Sequence, residues 1–254
     1  MSATQQVSEI ITSTELCFAF QPYVDAVLRT VVGHEALVRG AHGESADAVW
    51  QRVPEAERLA FDLRCRATAL REAKRLGLDQ TGQMLNLNVL ANAIGVHGEH
   101  LLETLDVAVQ LGFPCASLVI EITEVEYLEN PAGLREVLRD LRGIGFRTAI
   151  DDLGAGWSNM LMLAEMQPDL VKIDRTLIEG IDANPRQRVI VRSIKRACDD
   201  LGCSIVAEGI EAEAESQTLI DLGIHLQQGF LFSRPCLNSL DLTASFPTLR
   251  VSGK

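Results

Sequence analysis

Carboxylate and amide side chains stand at the ends of several short apolar segments of this sequence. Glu121 follows Leu118-Val119-Ile120, and Asp151 with Asp152 follows Ala149-Ile150. Clustered carboxylates repel one another in a dry pocket, and divalent cations relieve that repulsion. Oxygen ligands without His or Cys favour Mg²⁺ or Mn²⁺, and two such ions about 4 Å apart can clamp the oxygens of a phosphodiester during hydrolysis. The residues at such positions are Glu35, Asn88, Glu121, Asp151, Asp152, Lys172, Glu208 and Gln228.

Each of these residues also has an ordinary structural interpretation. A lone glutamate such as Glu35 is commonly solvated or placed at a helix N-terminus, and Asp151-Asp152 could form a simple turn. Lys172 could form a buried ion pair with Asp174, and Asn88 could cap a helix. Their shared position at strand ends favours a functional site over these separate explanations.

Five short motifs, in which Leu or Ile precedes Gly and a further apolar residue, predict helix ends. A glycine there can adopt the left-handed conformation that closes a helix. The segments before them have helical spacing, as in Leu134, Val137, Leu138, Leu141 and Ile144, or in Ile190, Ile194, Ala197 and Leu201. The glycines are Gly77, Gly112, Gly145, Gly202 and Gly223.

Short apolar runs follow most of these helix ends and predict buried strands. Continuous apolar strands that alternate with amphipathic helices indicate a parallel sheet covered on both faces. Two strand-like segments near the N-terminus lie only a few residues apart and predict a hairpin, so that one antiparallel strand enters the sheet. The predicted strands are 16–24, 31–38, 85–88, 118–123, 148–151, 170–173 and 205–208.

The length and the order of elements predict an α/β protein with a modified TIM (β/α)8 barrel. The chain has 254 residues, close to the length typical of one such barrel. The C-terminal ends of barrel strands converge on one mouth, where the polar residues are expected to meet. We assign the barrel domain to 15–246, an N-terminal tail or linker stump to 1–14, and a C-terminal tail to 247–254. The stump would connect to a sensor domain outside this sequence.

Composition narrows the possible partners and the compartment. The formal net charge is −12 without a block of basic residues, which argues against duplex nucleic acid and anionic membranes as partners. A small phosphorylated ligand fits if metal ions supply the positive charge. The six cysteines are scattered in apolar stretches without a CxxC pair, which is typical of reduced structural thiols. Without a signal peptide or a membrane-length apolar run, the chain is expected to be cytoplasmic.

Several ordered motifs resemble those of one known family. The sequence Glu-Ala-Leu-Val-Arg at 35–39 follows Phe-Gln-Pro-Tyr-Val at 20–24. Further matches are LNLN at 85–88, EITE at 121–124, DDLGAGWSN at 151–159, PDLVKID at 168–174, AEGIE at 207–211 and QGFLFSRP at 228–235. Over roughly residues 15 to 240 the chain resembles the EAL domains, a family of bacterial cyclic di-GMP phosphodiesterases that act in second-messenger signalling.

The resemblance implies a role for each matched residue. Asp151 would bridge two metal ions, and Lys172, Glu208 and Glu35 would be catalytic, with Lys172 in contact with the attacking water. Glu124 would anchor the loop after Asp151. The first ion would be held by Glu35, Asn88, Glu121 and Asp151, and the second by Asp151, Asp152 and Glu208. The residues facing the dinucleotide would be Gln21, Leu37, Arg39, Asp174 and Gln228. The chain departs from the common family pattern at Leu90, Leu153, Ala155 and Trp157, none of which is an implied metal ligand.

The function implied is hydrolysis of cyclic di-GMP to linear pGpG by a metal-activated water, in a homodimer that uses two Mg²⁺ or Mn²⁺ ions. The alternative is a catalytically inactive EAL module that binds cyclic di-GMP or a protein partner as a sensor. The complete set of matched ligands favours the enzyme. A third interpretation makes Lys172 a Schiff-base nucleophile, but the nearby carboxylates are expected to keep it protonated.

Overall fold

The computed structural model describes residues 16–90, 99–123, 131–154 and 160–246. Eight strands form a closed barrel with helices interspersed between them, and a short ninth strand adds to its outside. The strands are β1 (Leu16–Asp25), β2 (Thr30–Gly40), β3 (Met84–Leu90), β4 (Leu118–Thr123), β5 (Arg147–Leu153), β6 (Leu170–Ile173), β7 (Ser204–Ala207), β8 (Leu226–Gln228) and β9 (Cys236–Leu237).

Capping residues explain where several of the described helices begin or end. Asn184 accepts hydrogen bonds from the backbone N–H groups of Arg186 and Gln187, and Pro185 opens the longest of the later helices. The five glycines predicted to end helices all have positive φ values, between 63° and 106°. The helices are α1 (Ala46–Trp50), α2 (Arg58–Arg75), α3 (Glu99–Leu111), α4 (Pro131–Ile144), α5 (Met160–Met166), α6 (Arg175–Ile178), α7 (Pro185–Leu201) and α8 (Glu213–Asp221).

Strand β1 closes the barrel. Strands β2 to β8 pair in sequence order and in parallel, whereas β1 lies between β8 and β2 and is antiparallel to both. The tight turn from β1 into β2 is held by Asp25, whose Oδ1 accepts hydrogen bonds from the N–H groups of Val27 and Leu28 at 2.9 and 2.8 Å. The predicted modified TIM barrel with one antiparallel strand is confirmed.

Two apolar layers form the core, one inside the barrel and one between the barrel and its helices. The inner layer contains Tyr23, Val119, Ala149, Leu170 and Val206, all buried. Side chains two residues apart on a strand share a face, so the next inward positions lie one level nearer the mouth. Those positions are occupied by Glu121, Asp151, Lys172 and Glu208. The apolar inner layer is therefore the floor of the polar site.

The predicted apolar stripe of α7 is partly wrong. The structure buries Val191, Ile194 and Cys198, whereas Ile190 is 48% exposed and Leu201 is 42% exposed. The helix carries two overlapping apolar stripes, and packing against the barrel selects the one that includes Val191. Ile144 at the end of α4 was also predicted to belong to an apolar stripe, but it is 45% exposed.

Two further features bear on the expectations from composition. All six cysteines lie among the described residues and carry free thiols. In the described part of the chain, no helix combines the length and the apolar character needed to cross a membrane.

Two glycine-to-alanine substitutions are expected to change stability in opposite directions. Gly143 lies in α4 with open space around an added Cβ, so Gly143→Ala should raise the free energy of unfolding by about 0.5–1 kcal/mol. At Gly229 an added Cβ would collide with the backbone of Ile210, so Gly229→Ala should lower it by about 1–3 kcal/mol. Urea denaturation of both variants tests this, and a shift in the same direction for both would contradict it.

Candidate active site

The amino group of Lys172 lies at the centre of the barrel mouth. Its side chain on β6 is 2% exposed. Its Nζ lies 3.0 Å from Glu35 Oε2, 3.4 Å from Asp151 Oδ1 and 2.6 Å from Glu208 Oε1, and it also contacts Glu121 Oε1. The four carboxylates come from β2, β4, β5 and the residue after β7, so the closed barrel brings together groups that are distant in sequence.

Asp174, which the sequence offered as an ion-pair partner for Lys172, makes other contacts. Asp174 caps α6, where its Oδ1 accepts hydrogen bonds from the N–H of Thr176 at 2.9 Å and from its hydroxyl at 2.6 Å. Burial lowers the pKa of Lys172, but the carboxylates, led by Asp151 and Glu121, raise it well above its usual value. Lys172 is therefore an ammonium, as expected. A Schiff-base nucleophile must be a neutral amine, so this state of Lys172 argues against the Schiff-base interpretation.

Three amide side chains orient two of these carboxylates. Asn88 Nδ2 donates to Glu35 Oε1 at 3.0 Å, and Gln228 Nε2 donates to Glu35 Oε2 at 2.9 Å. Asn86 Nδ2 donates to Glu121 Oε2 at 2.9 Å. Asn88 lies within β3, so it does not cap a helix.

The pKa values of the Glu35 and Glu121 carboxyl groups are shifted in opposite directions. Burial raises the pKa of Glu35, but the Lys172 ammonium and the amide hydrogen bonds together bring it below its usual value. Burial raises the pKa of Glu121 well above its usual value. Lys172 lowers this pKa, whereas the carboxylates of Glu35, Asp151 and Glu208 add to the rise.

Two of the carboxylates that contact Lys172, Asp151 and Glu208, form a candidate metal centre together with Asp152. Oxygen atoms of Asp151, Asp152 and Glu208 lie within 4.8 Å of one another. Asp152 has a left-handed backbone conformation, with φ 56°, and its N–H donates to Asp151 Oδ1 at 2.9 Å. Burial, together with Asp151 and Asp174, raises the pKa of Asp152 to about 6. Crowded oxygen ligands of one charge, without sulfur or nitrogen among them, fit a hard divalent cation.

Most of the predicted site residues meet at this mouth, but two need separate comment. Arg39 is half-buried, and its Nη1 donates to the carbonyl of Val38 at 2.8 Å. Among the described residues it lines neither of the two cavities next to the carboxylates. Glu124 and the loop 155–159 lie outside the described residues.

Asn86 is the site residue that the sequence analysis missed. It is 1% exposed and shares the inward face of β3 with Asn88. The two-residue spacing of the asparagines in LNLN is the signal that could have identified it.

Two cavities flank the carboxylates. The larger has a volume of about 480 Å³ and extends from Asn88, Asp151 and Asp152 to Trp50 of α1 and Arg66 of α2. The smaller has a volume of about 230 Å³. Its lining includes the predicted substrate-binding residues Gln21, Leu37, Asp174 and Gln228, together with Phe230. Glu35 and Leu37 line both cavities, so the carboxylates lie between them.

Comparison with known proteins identifies the family. The model of the EAL domain matches residues 4–235. The cyclic di-GMP phosphodiesterase RocR from Pseudomonas aeruginosa is 31% identical over 220 residues, which cover 85% of this chain and 56% of RocR. The chain belongs to the EAL domain family. It spans 37% to 56% of the length of curated relatives such as RocR.

Solved structures agree with the fold described above. A standalone EAL protein from Vibrio cholerae O395 in its cyclic di-GMP-bound form is 36% identical with a TM-score of 0.86, and the match covers 91% of this chain and 96% of that one. The manganese and cyclic di-GMP complex of Klebsiella pneumoniae BlrP1 at pH 6 is 36% identical with a TM-score of 0.85, and the match covers 92% of this chain and 59% of that one.

Proposed function

We propose that this chain hydrolyses cyclic di-GMP to linear pGpG with two Mg²⁺ or Mn²⁺ ions. The observation that carries the proposal is the contact of the buried Lys172 ammonium with four carboxylates. Two of the four, Asp151 and Glu208, also form a cluster with Asp152. A similar EAL protein is a cyclic di-GMP phosphodiesterase by name, and another was solved with manganese and this dinucleotide.

The proposed metal ligands supply oxygen atoms only. Glu35, Asn88, Glu121 and Asp151 would hold one ion, and Asp151, Asp152 and Glu208 the other. When bound, the ions lower the pKa of water and neutralise charge that develops on the phosphate. The amide donors Asn88 and Gln228 hold Glu35 in one orientation before substrate arrives.

Lys172 would act on the water and on the phosphate. Its three N–H groups are directed at Glu35, Glu121 and Glu208. Once bound ions take over these carboxylates, an N–H group would be released to orient the attacking water and offset phosphate charge. An ammonium has no lone pair with which to accept a proton. The proton of the attacking water would therefore pass to a carboxylate, and Glu208 or Glu35 is the proposed acceptor.

The two cavities suit the two halves of a cyclic dinucleotide. One phosphodiester would lie over the carboxylates, and one guanosine would enter each cavity. Trp50 lines the larger cavity and Phe230 the smaller, so each offers an aromatic ring against which a base can stack. Gln21, Leu37, Asp174 and Gln228 would contact the half in the smaller cavity. Arg39 is also proposed to face the dinucleotide.

Product analysis tests the proposed reaction. With purified protein and Mg²⁺ or Mn²⁺, mass spectrometry should detect linear pGpG, which is heavier than cyclic di-GMP by one water molecule. EDTA should stop the reaction, and excess Mn²⁺ should restore it. Binding of cyclic di-GMP by equilibrium dialysis without turnover would support the inactive sensor module instead, and a folded sample that neither binds nor cleaves would contradict both.

The homodimer and the additional sensor domain stay predictions. Val189 and Ile190 on α7 are 60% and 48% exposed, and they are candidate contacts for a second copy of the chain. Glu124 is still proposed as the anchor of the loop after Asp151.

A further inference from the structure

Strand β3 carries two asparagines that hold carboxylates on opposite sides of it. Asn86 and Asn88 are two residues apart and point into the barrel. Asn88 Nδ2 donates to Glu35 on β2, and Asn86 Nδ2 donates to Glu121 on β4, at 3.0 and 2.9 Å. The family resemblance assigns a role to Asn88 but none to Asn86.

Both side chains in the contact of Asn86 with Glu121 are buried. Asn86 is 1% exposed and Glu121 is 0% exposed. The two oxygens of Glu121 have different partners, because Oε1 contacts Lys172 whereas Oε2 accepts the hydrogen bond from Asn86. The terminal torsion of a glutamate is broad and roughly two-fold, so a lone ammonium contact leaves the plane of the carboxylate poorly defined. A second donor on the other oxygen defines it.

An amide at this position is costly unless it serves that contact. Burial of an amide without compensating hydrogen bonds is unfavourable in proteins. Asn86 Oδ1 has no hydrogen-bond donor among the described residues, so the bond to Glu121 is what compensates the side chain there. A small apolar residue would fit a strand facing the barrel interior at lower cost.

We propose that Asn86 is a positioning residue that fixes the Glu121 carboxylate for one of the two metal ions. The proposal rests on the proposed function, in which Glu121 is a ligand of the first ion and not of the second. Glu121 would present Oε1 to the metal site while Asn86 holds Oε2. Loss of Asn86 should weaken binding of the first ion. The affinity for the second ion, held by Asp151, Asp152 and Glu208, should stay close to its original value.

Calorimetric titration with Mn²⁺ alone tests the proposal without turnover. Wild type should show two binding steps. Asn86→Val and the smaller Asn86→Ser should weaken one step by about 10- to 100-fold, as expected when a residue that orients a ligand is removed. The curve of initial rate against Mn²⁺ concentration should shift by the same factor.

Thr148→Val is the matched control. Thr148 is fully buried on β5, and its hydroxyl donates to Asp169 Oδ2 at 3.0 Å. This variant therefore also loses one hydrogen bond from a buried side chain to a carboxylate. It should bind both ions as wild type does.

The outcomes separate the two proposals. If wild type binds no Mn²⁺, the proposed function fails and this inference fails with it. If wild type binds two ions and a folded Asn86 variant binds both unchanged, only the positioning role of Asn86 is overturned. Equal weakening of both steps would also overturn it. If Asn86→Val does not fold, the Asn86→Ser titration decides.

Discussion

Lys172→Met is expected to lower the turnover of cyclic di-GMP by roughly 10²-fold or more, while substrate binding weakens much less. Methionine keeps most of the length of the side chain but removes the ammonium that contacts Glu35, Asp151 and Glu208. The loss is concentrated in kcat because the ammonium acts mainly on charge that develops in the transition state. Steady-state kinetics with saturating Mn²⁺ and equilibrium binding in Ca²⁺ separate the two effects.

The same substitution should destabilise the metal-free protein. Removal of one partner from a buried ion pair lowers the free energy of unfolding by about 3–5 kcal/mol. In this site the substitution would leave four carboxylates without the ammonium that they contact. Mn²⁺ should restore much of the stability by supplying positive charge to the same carboxylates. Lys195→Met is the control, because its pair with Asp199 is a surface contact within α7, for which less than about 1 kcal/mol is expected.

Two results would overturn the role given to Lys172. Unchanged turnover in a folded Lys172→Met variant would remove it from the reaction. Borohydride trapping of a carbonyl substrate on Lys172 would restore the Schiff-base interpretation.

Asp151→Ala is expected to abolish turnover and to lower the metal content more than Glu35→Ala does. Asp151 contacts Lys172 and also belongs to the cluster with Asp152 and Glu208, so it is placed to bind both ions, whereas Glu35 would bind one. Metal analysis after gel filtration in trace Mn²⁺ measures the content directly. Asp199→Ala removes an exposed carboxylate of α7 and should retain both ions. Normal stoichiometry in Asp151→Ala would contradict the bridging assignment.

Local chemistry explains which features were predictable. The five glycines that end helices were recognised because a left-handed residue at a helix end is a property of a few neighbouring residues. Strands β3 to β7 were recognised because buried parallel strands are continuous apolar runs, and β1 and β2 were recognised as a hairpin. The short strands β8 and β9 were not among the predicted strands. The bounds of the predicted strands changed by one or two residues, as for β3 at Met84–Leu90 and β5 at Arg147–Leu153. The site residues followed from polar side chains at the ends of these strands.

Long-range packing decided the remaining features. The apolar stripe of α7 depended on which face met the barrel, and the sequence offered two. The partners of Lys172 depended on barrel closure, which brings Glu35 within 3.0 Å across 137 positions of sequence and leaves nearby Asp174 to cap α6. The contact of Asn86 with Glu121 likewise depends on how β3 and β4 pair.

The sequence by itself determined the barrel, its antiparallel first strand and, apart from Asn86, the oxygen and amide side chains at the mouth. These features follow from periodicity, helix ends and strand ends. Only the tertiary structure decided which carboxylate each donor holds, where the two cavities lie, and that Arg39 bonds to the carbonyl of Val38. The physical reason is that such contacts join side chains from different strands. Their geometry is set by the register and closure of the whole sheet, which no short segment encodes.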